Sequence, residues 1–312
     1  MTQSRHPVDR QRRALLGASV LGVLALPAFR VFAADAPATD LPPVEALAAL
    51  ERRHGGRLGV AILDTSNGRR INHRGEERFA MCSTFKWLLA AQVLARVDRG
   101  EEALDARVVV DEDALVSWSP VTETRTGPPG MTVAELCEAA VTRSDNTAAN
   151  LLLGRTGGPA GFTAFARSIG DDWTRLDRME TALNSAIPGD PRDTTTPAAM
   201  LRDLDAVLLG DVLQPISRER LVGWLVDNRT GDARLRAGLP DAWRVGDKTG
   251  SGAHAVHNDV GIAWPPGRAP LLVAAYYAEA DDTTTAERDA VLADVGRIVA
   301  SLAWDPAGPA AR

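Results

Sequence analysis

Residues 83–97, Ser-Thr-Phe-Lys-Trp-Leu-Leu-Ala-Ala-Gln-Val-Leu-Ala-Arg-Val, place their apolar side chains on a helical period and decide how the chain is organised. They open a helix-rich stretch. Thr132-Val133-Ala134-Glu135 is a capping box that starts another helix. Residues 159–168 and 197–209 also read as helices, the second with Thr196 as N-cap and Pro197 in the first turn, and 219–227 ends the series. Outward from this block the apolar period shortens to two. On the amino-terminal side, 58–64 and 69–73 read as strands joined by a turn carrying Asn67-Gly68, preceded by a helix over 41–53. On the carboxyl-terminal side strands are expected at 242–249, 259–264 and 271–278, before a closing helix over 286–302. Strands at both ends around a helical middle imply an α/β (α+β) fold. One antiparallel sheet, flanked by helices and formed from both chain ends, would carry an inserted all-α domain. The expected bounds are 35–81 with 227–312 for the first part and 82–226 for the second. Within the helical part, 175–195 is irregular and holds Pro188, Gly189 and Pro191; a structureless loop of that length is usually functional.

The chain has two lysines, Lys86 and Lys248, against 33 arginines. Arginine stays protonated and presents a planar fork, whereas a lysine amine can lose its proton and acts as a compact charge. Both lysines sit in short polar motifs, Ser83-Thr84-Phe85-Lys86 and Lys248-Thr249-Gly250. Ser83 and Lys86 lie one helical turn apart, so their side chains share a face. A serine hydroxyl is a weak nucleophile that needs an adjacent base, and a lysine desolvated beside another cation, here Lys248, can serve near neutral pH. No G-x-S-x-G elbow and no phosphate-binding glycine loop are present. Gly250-Ser251-Gly252-Ala253-His254-Ala255 mimics a dinucleotide fingerprint but lacks a βαβ setting.

A net charge of −6, with no basic stripe, argues against nucleic acid as a partner. Metal binding is not expected either: the one close histidine pair, His254 and His257, reads as loop surface, and no HExxH or CxxC occurs. Arg10, Arg12 and Arg13 precede an apolar run over 14–29, followed by small residues, which reads as an export signal over 1–34 cleaved near Ala33 or Ala34. Arg12-Arg13-Ala14-Leu15-Leu16 resembles a twin-arginine signal. The mature chain is expected to be periplasmic, monomeric and without a membrane span.

Ser83-Thr84-Phe85-Lys86, Ser144-Asp145-Asn146 and Lys248-Thr249-Gly250, in this order, resemble the class A serine β-lactamases, and the motif set is shared with penicillin-binding proteins. Arg178-Met179-Glu180-Thr181-Ala182-Leu183-Asn184, with Asp190-Pro191-Arg192-Asp193-Thr194-Thr195, is similar to the Ω-loop that separates the β-lactamases from that wider group. The likeness runs over 44–302. It implies a β-lactamase/transpeptidase-like fold and hydrolysis of penicillins and cephalosporins without a cofactor. Ser83 would attack the lactam carbonyl, with the oxyanion held by the N–H groups of Ser83 and Ser251. Ser144 would pass a proton to the leaving nitrogen. Lys248, Thr249, Ser251 and Arg234 would grip the substrate carboxylate, Asn146 the acylamino side chain, and Trp118 would stand at the cleft edge. Glu180 and Asn184 would hold the deacylating water. Asp145 and the Arg178–Asp193 pair would be structural.

The resemblance also has departures. Thr181 stands where the family commonly has Pro, leaving the Glu180–Thr181 bond cis or trans; Met179 and Ala182 replace a frequent Trp and Glu. Cys82 precedes the nucleophile, but its partner position in carbapenem-hydrolysing members is Gly252, and the family position that pairs with that of Cys137 aligns to Ala90, so the resemblance implies that Cys82 and Cys137 stay free. Two other readings share Ser83, Lys86, Ser144 and Lys248: a D-alanyl-D-alanine peptidase, which has no need of Glu180 and Asn184, and a periplasmic β-lactam sensor domain.

Overall fold

The computed structural model describes residues 41–302, so the export signal expected over 1–34 and the chain's last residues lie outside the described part. Helix α1 (Pro43–His54) leads into β1 (Arg57–Asp64) and β2 (Arg69–His73). The hairpin turn is closed by the Gly68 N–H donating to the Asp64 carbonyl, with Gly68 at a φ of +74°, where a glycine is needed. β1 pairs antiparallel with β9 (Leu271–Ala278), β9 with β8 (His257–Trp264), and β8 with β7 (Arg244–Ser251). The sheet order β2-β1-β9-β8-β7 therefore joins the two chain ends in one antiparallel sheet, as the strand pattern predicts. The first and last of these helices, α1 and α9 (Thr285–Leu302), cover one face together with the short α8 (Leu235–Gly238), around Leu47, Leu58, Val295 and Tyr277.

The other face packs on the helical middle. It comprises α2 (Phe85–Asp98), α3 (Val133–Thr142), α4 (Asn146–Arg155), α5 (Gly158–Ser168), α6 (Pro197–Leu208) and α7 (Pro215–Val226). α2 is buried on all sides over most of its length, from Phe85 to Ala95, so its hydrophobic surroundings, rather than intrinsic propensity, fix it as the central helix. The Thr132 hydroxyl accepts from the Glu135 N–H and the Glu135 carboxylate from the Thr132 N–H, completing the expected capping box of α3. Thr196 caps α6 as expected. α7 starts at Pro215, four residues before the sequence pattern suggests, because the proline supplies the first turn.

The middle is not purely helical. β3 (Phe79–Ala80) pairs with β6 (Thr194–Thr195), and β4 (Arg107–Val110) with β5 (Gly127–Thr132). The first pair closes the base of the segment over 175–195, which also contains a 3₁₀ turn at Ala182–Ser185.

Candidate active site

Three short pieces converge at the junction between sheet and helices. A 3₁₀ turn, Cys82–Thr84, enters α2 and carries Ser83, with Cys82 in a left-handed conformation at a φ of +45°. Strand β7 runs directly beside it. A β-carbon on Gly250 would lie 2.6 Å from the Met81 carbonyl and 3.1 Å from the Thr84 methyl, so only glycine lets the strand approach this closely. The third piece is the α3–α4 corner, where Ser144 takes a φ of +58°. Asp145 fixes the corner from inside: its carboxylate accepts from the N–H groups of Val121, Thr122 and Ala148 and from the Thr122 hydroxyl. Its expected structural role is what these bonds describe.

Lys86 lies at the centre, fully buried. Its ammonium donates to Ser83 Oγ at 3.0 Å, to the Ser144 carbonyl at 2.9 Å and to Asn146 Oδ1 at 2.5 Å, and stands 2.9 Å from Glu180 Oε1. Ser83 Oγ in turn faces Glu180 Oε1 at 3.4 Å. Burial pushes the Lys86 pKa down, against the opposing pull of the Glu180 carboxylate. Desolvation, which the sequence reading invokes, is the leading cause; Lys248, the cation that reading sets beside Lys86, is not among the main ones. Lys248, also fully buried, is pushed well down by desolvation and then by Lys86. Its ammonium donates to Ser144 Oγ at 3.1 Å and to the Thr249 carbonyl at 2.9 Å. Ser144 is therefore held between the two lysines, its carbonyl on one and its hydroxyl on the other.

The segment over 175–195 brings in Glu180 from the far side. Asp193, buried at a φ of +57°, accepts from the N–H groups of Asp177 and Arg178 and pairs with the Arg178 guanidinium at 2.5 Å, closing the loop. Asn184 Nδ2 donates to Glu180 Oε2 at 2.5 Å. The Glu180–Thr181 peptide bond is cis. Asn150 grips its glutamate side from both directions, accepting from the Glu180 N–H and donating to the Glu180 carbonyl, each at 2.9 Å. The motif search missed Asn150; its signal is the spacing of four from Asn146, one turn along α4.

A cavity of about 330 Å³ opens in front of Ser83, lined by Trp118, Ser144, Asn146, Asn184, Thr230, Arg234, Thr249, Gly250 and Ser251 besides the serine itself. Asn146 spends one Nδ2 hydrogen on the Ser117 carbonyl, leaving its second for a ligand. Trp118 is 63% exposed at the rim of this cavity, its indole N–H donating to the Arg143 carbonyl. The Thr230 and Thr249 hydroxyls meet at 2.5 Å. Arg234 is buried and enters the cavity wall, donating to the carbonyls of Gly250 and Asn258 and to Ser251 Oγ at 2.7 Å. Its Nε donates to Asp289 Oδ1 at 2.8 Å, and the same oxygen meets His257 Nδ1 at 2.9 Å. His257 is thus buried in β8 and only His254 is on an exposed loop, contrary to the expectation that both are surface residues. Among the described residues, no group of three or more His, Cys, Asp or Glu is placed to hold a metal ion, and no helix is long and apolar enough to cross a membrane.

The model of the β-lactamase enzyme family matches residues 42–303. β-Lactamase L2 of Stenotrophomonas maltophilia is 53% identical over 293 residues, covering 92% of this chain and 96% of the relative. β-Lactamase AST-1 of Nocardia asteroides is 47% identical over 307 residues, with 96% and 98% covered. A solved structure of an ancestral class A β-lactamase superposes with a TM-score of 0.82 at 64% identity, over 84% of this chain and all of the other.

The chain belongs to the class A serine β-lactamases. As such it is a hydrolase of β-lactams. Cys82 and Cys137, both buried, are unbridged in the β-lactamase fold. A β-carbon on Gly252 would lie 2.5 Å from Cys82 Sγ, so the position that carries the disulfide partner in the carbapenem-hydrolysing members does face Cys82 in this β-lactamase.

Proposed function

We propose that this enzyme opens the lactam ring of penicillins and cephalosporins through an acyl-enzyme on Ser83, and that Glu180 with Asn184 discharges it. The observation that carries the reading is the shared position of Glu180: one carboxylate oxygen faces Ser83 Oγ at 3.4 Å while the other is held by Asn184. In the first step the Ser83 proton passes to the Lys86–Glu180 pair as Oγ adds to the carbonyl carbon. The N–H groups of Ser83 and Ser251 receive the oxyanion. When the tetrahedral adduct collapses, the carbon–nitrogen bond breaks and Ser144 delivers a proton to the leaving nitrogen. Lys248 supports this relay by its bond to Ser144 Oγ. Lys248, Thr249, Ser251 and Arg234 bind the substrate carboxylate, Asn146 binds the acylamino group, and Trp118 covers the rim. A water activated by Glu180 then attacks the ester, and the Ser83 hydroxyl is regenerated. No cofactor enters these steps.

Turnover of a chromogenic cephalosporin by the purified protein, abolished in Ser83→Ala, is the direct test. Stoichiometric acylation of Ser83 without turnover would replace hydrolysis by the sensor reading. We further propose export, with removal of residues 1–34, on the strength of Arg12-Arg13 and the apolar run behind them.

A further inference from the structure

The cavity wall contains a polar relay with no direct part in acyl transfer. Arg234 Nε and His257 Nδ1 both point at one carboxylate oxygen, Asp289 Oδ1, at 2.8 and 2.9 Å. Asp289 comes from α9, Arg234 from the segment preceding α8, and His257 from β8, where it pairs across the sheet with Ser251. An ionised carboxylate only accepts hydrogen bonds, so the imidazole must present Nδ1–H to it. Burial pushes the His257 pKa down, which keeps the ring neutral at neutral pH and leaves Arg234 as the cation of the group. Burial raises the Asp289 pKa, but His257 and Arg234 more than offset it and hold the carboxyl in its ionised form.

A guanidinium bound to protein by several N–H groups is useful to a ligand only if its remaining edge faces the cavity. Four bonds set that edge here: those to Asp289, the two carbonyls and Ser251. The Asp289 bond is the charged one, and the lever arm of the Asp289 side chain is fixed in turn by His257. We propose that His257 is a positioning residue for substrate recognition: through Asp289 it orients Arg234 toward the carboxylate that all substrates of this site carry. This deepens the proposed function and rests on Arg234 as a carboxylate ligand.

The test uses equilibrium binding of benzylpenicillin to the Ser83→Ala protein, so that affinity is read without acylation. His257→Leu should raise Kd about tenfold, the scale of one hydrogen bond to a charged group, and His257→Asn, which returns an N–H at the Nδ1 position, should recover most of the loss. The methyl ester of the same penicillin should show no such difference. In an Arg234→Gln background, itself weakened, His257→Leu should add less than about twofold, because the residue acts through Arg234. An equal loss in both backgrounds, or for acid and ester alike, would mean a general packing effect and overturn the proposal. So would an unchanged Kd in His257→Leu when Arg234→Gln is weakened. Full affinity in Arg234→Gln would sink the carboxylate role of Arg234 instead. Should the leucine variant fail to fold, Asp289→Asn removes the charge that holds Arg234 and must raise Kd; unaltered binding there would also overturn the proposal.

Discussion

Glu180 and Lys86 share one buried site, yet in the proposed mechanism the two steps do not need them equally. Lys86 touches Ser83 Oγ at 3.0 Å and can help accept its proton, so acylation has two groups to draw on. The proposed deacylating water would have Glu180, held by Asn184, and among the described residues no other carboxylate is bonded to that asparagine. Glu180→Ala is therefore expected to accumulate a penicilloyl adduct on Ser83, visible by intact mass, while turnover falls by about 10²–10⁴-fold, the usual loss on removing a positioned general base. Wild-type hydrolysis by this variant would remove Glu180 from the mechanism; complete failure to acylate would make it the base of both steps. The cysteines allow a second experiment at this scale. Both thiols are buried and burial pushes their pKa values up, so neither is reactive in the fold. Thiol titration of the denatured, unreduced protein should find two free groups. A monomer with none would contradict the observed arrangement.

Elements hold these residues through a few buried polar contacts, and one of them titrates. Asp203 on α6 faces Asp171, which caps the turn leading into the loop by accepting from the Trp173 and Thr174 N–H groups. Burial, then the neighbouring Asp171, pushes the Asp203 pKa well above the usual carboxylate range. Asp203 Oδ2 and Asp171 Oδ2 are both buried without another partner, and a proton between them satisfies both. A raised pKa in the folded state stabilises it fully below the unfolded value near 3.9, and that contribution is lost as pH rises toward the folded value. Asp203→Asn places a permanent donor there. Thermal melting should show it more stable than the wild type at pH 8, by on the order of 1 kcal/mol, with the advantage shrinking toward pH 4. An advantage that is the same at both pH values would refute the shared proton. The long elements around this contact were legible from period alone: β7, β8, β9 and α9 start and stop within two residues of the expected bounds. β3 and β6 are two residues each, and β5 begins Gly127-Pro128-Pro129-Gly130, so no period announces them. The relay from His257 to Arg234 was illegible for another reason. It depends on α9 placing Asp289 against the sheet, and no local pattern encodes that packing.

At the scale of the whole molecule, the motifs lie far apart in sequence but depend on one folded body. Ser83 and Lys86 come from the start of the helical part, Glu180 from its loop, and Lys248 from a strand near the other end of the chain. The nucleophile turn fits against β7 only because Gly250 lets the backbones meet, so the site exists only once sheet and helices have closed on each other. A protein of this kind can be delivered either unfolded, to close after transport, or already folded. Cys82 and Cys137 form no bridge, so the fold requires no oxidising chemistry to close. That suits delivery in the folded state, the mode served by the twin-arginine route, and Arg12-Arg13 stands where that route would read it. Replacing both arginines by lysine conserves charge and leaves the apolar run intact. The variant should be active in cell lysates but missing from the periplasmic fraction, since the pathway recognises the arginine pair itself. Undiminished periplasmic β-lactamase activity would instead assign export to the general secretory route, with Arg12 and Arg13 serving only as a basic start.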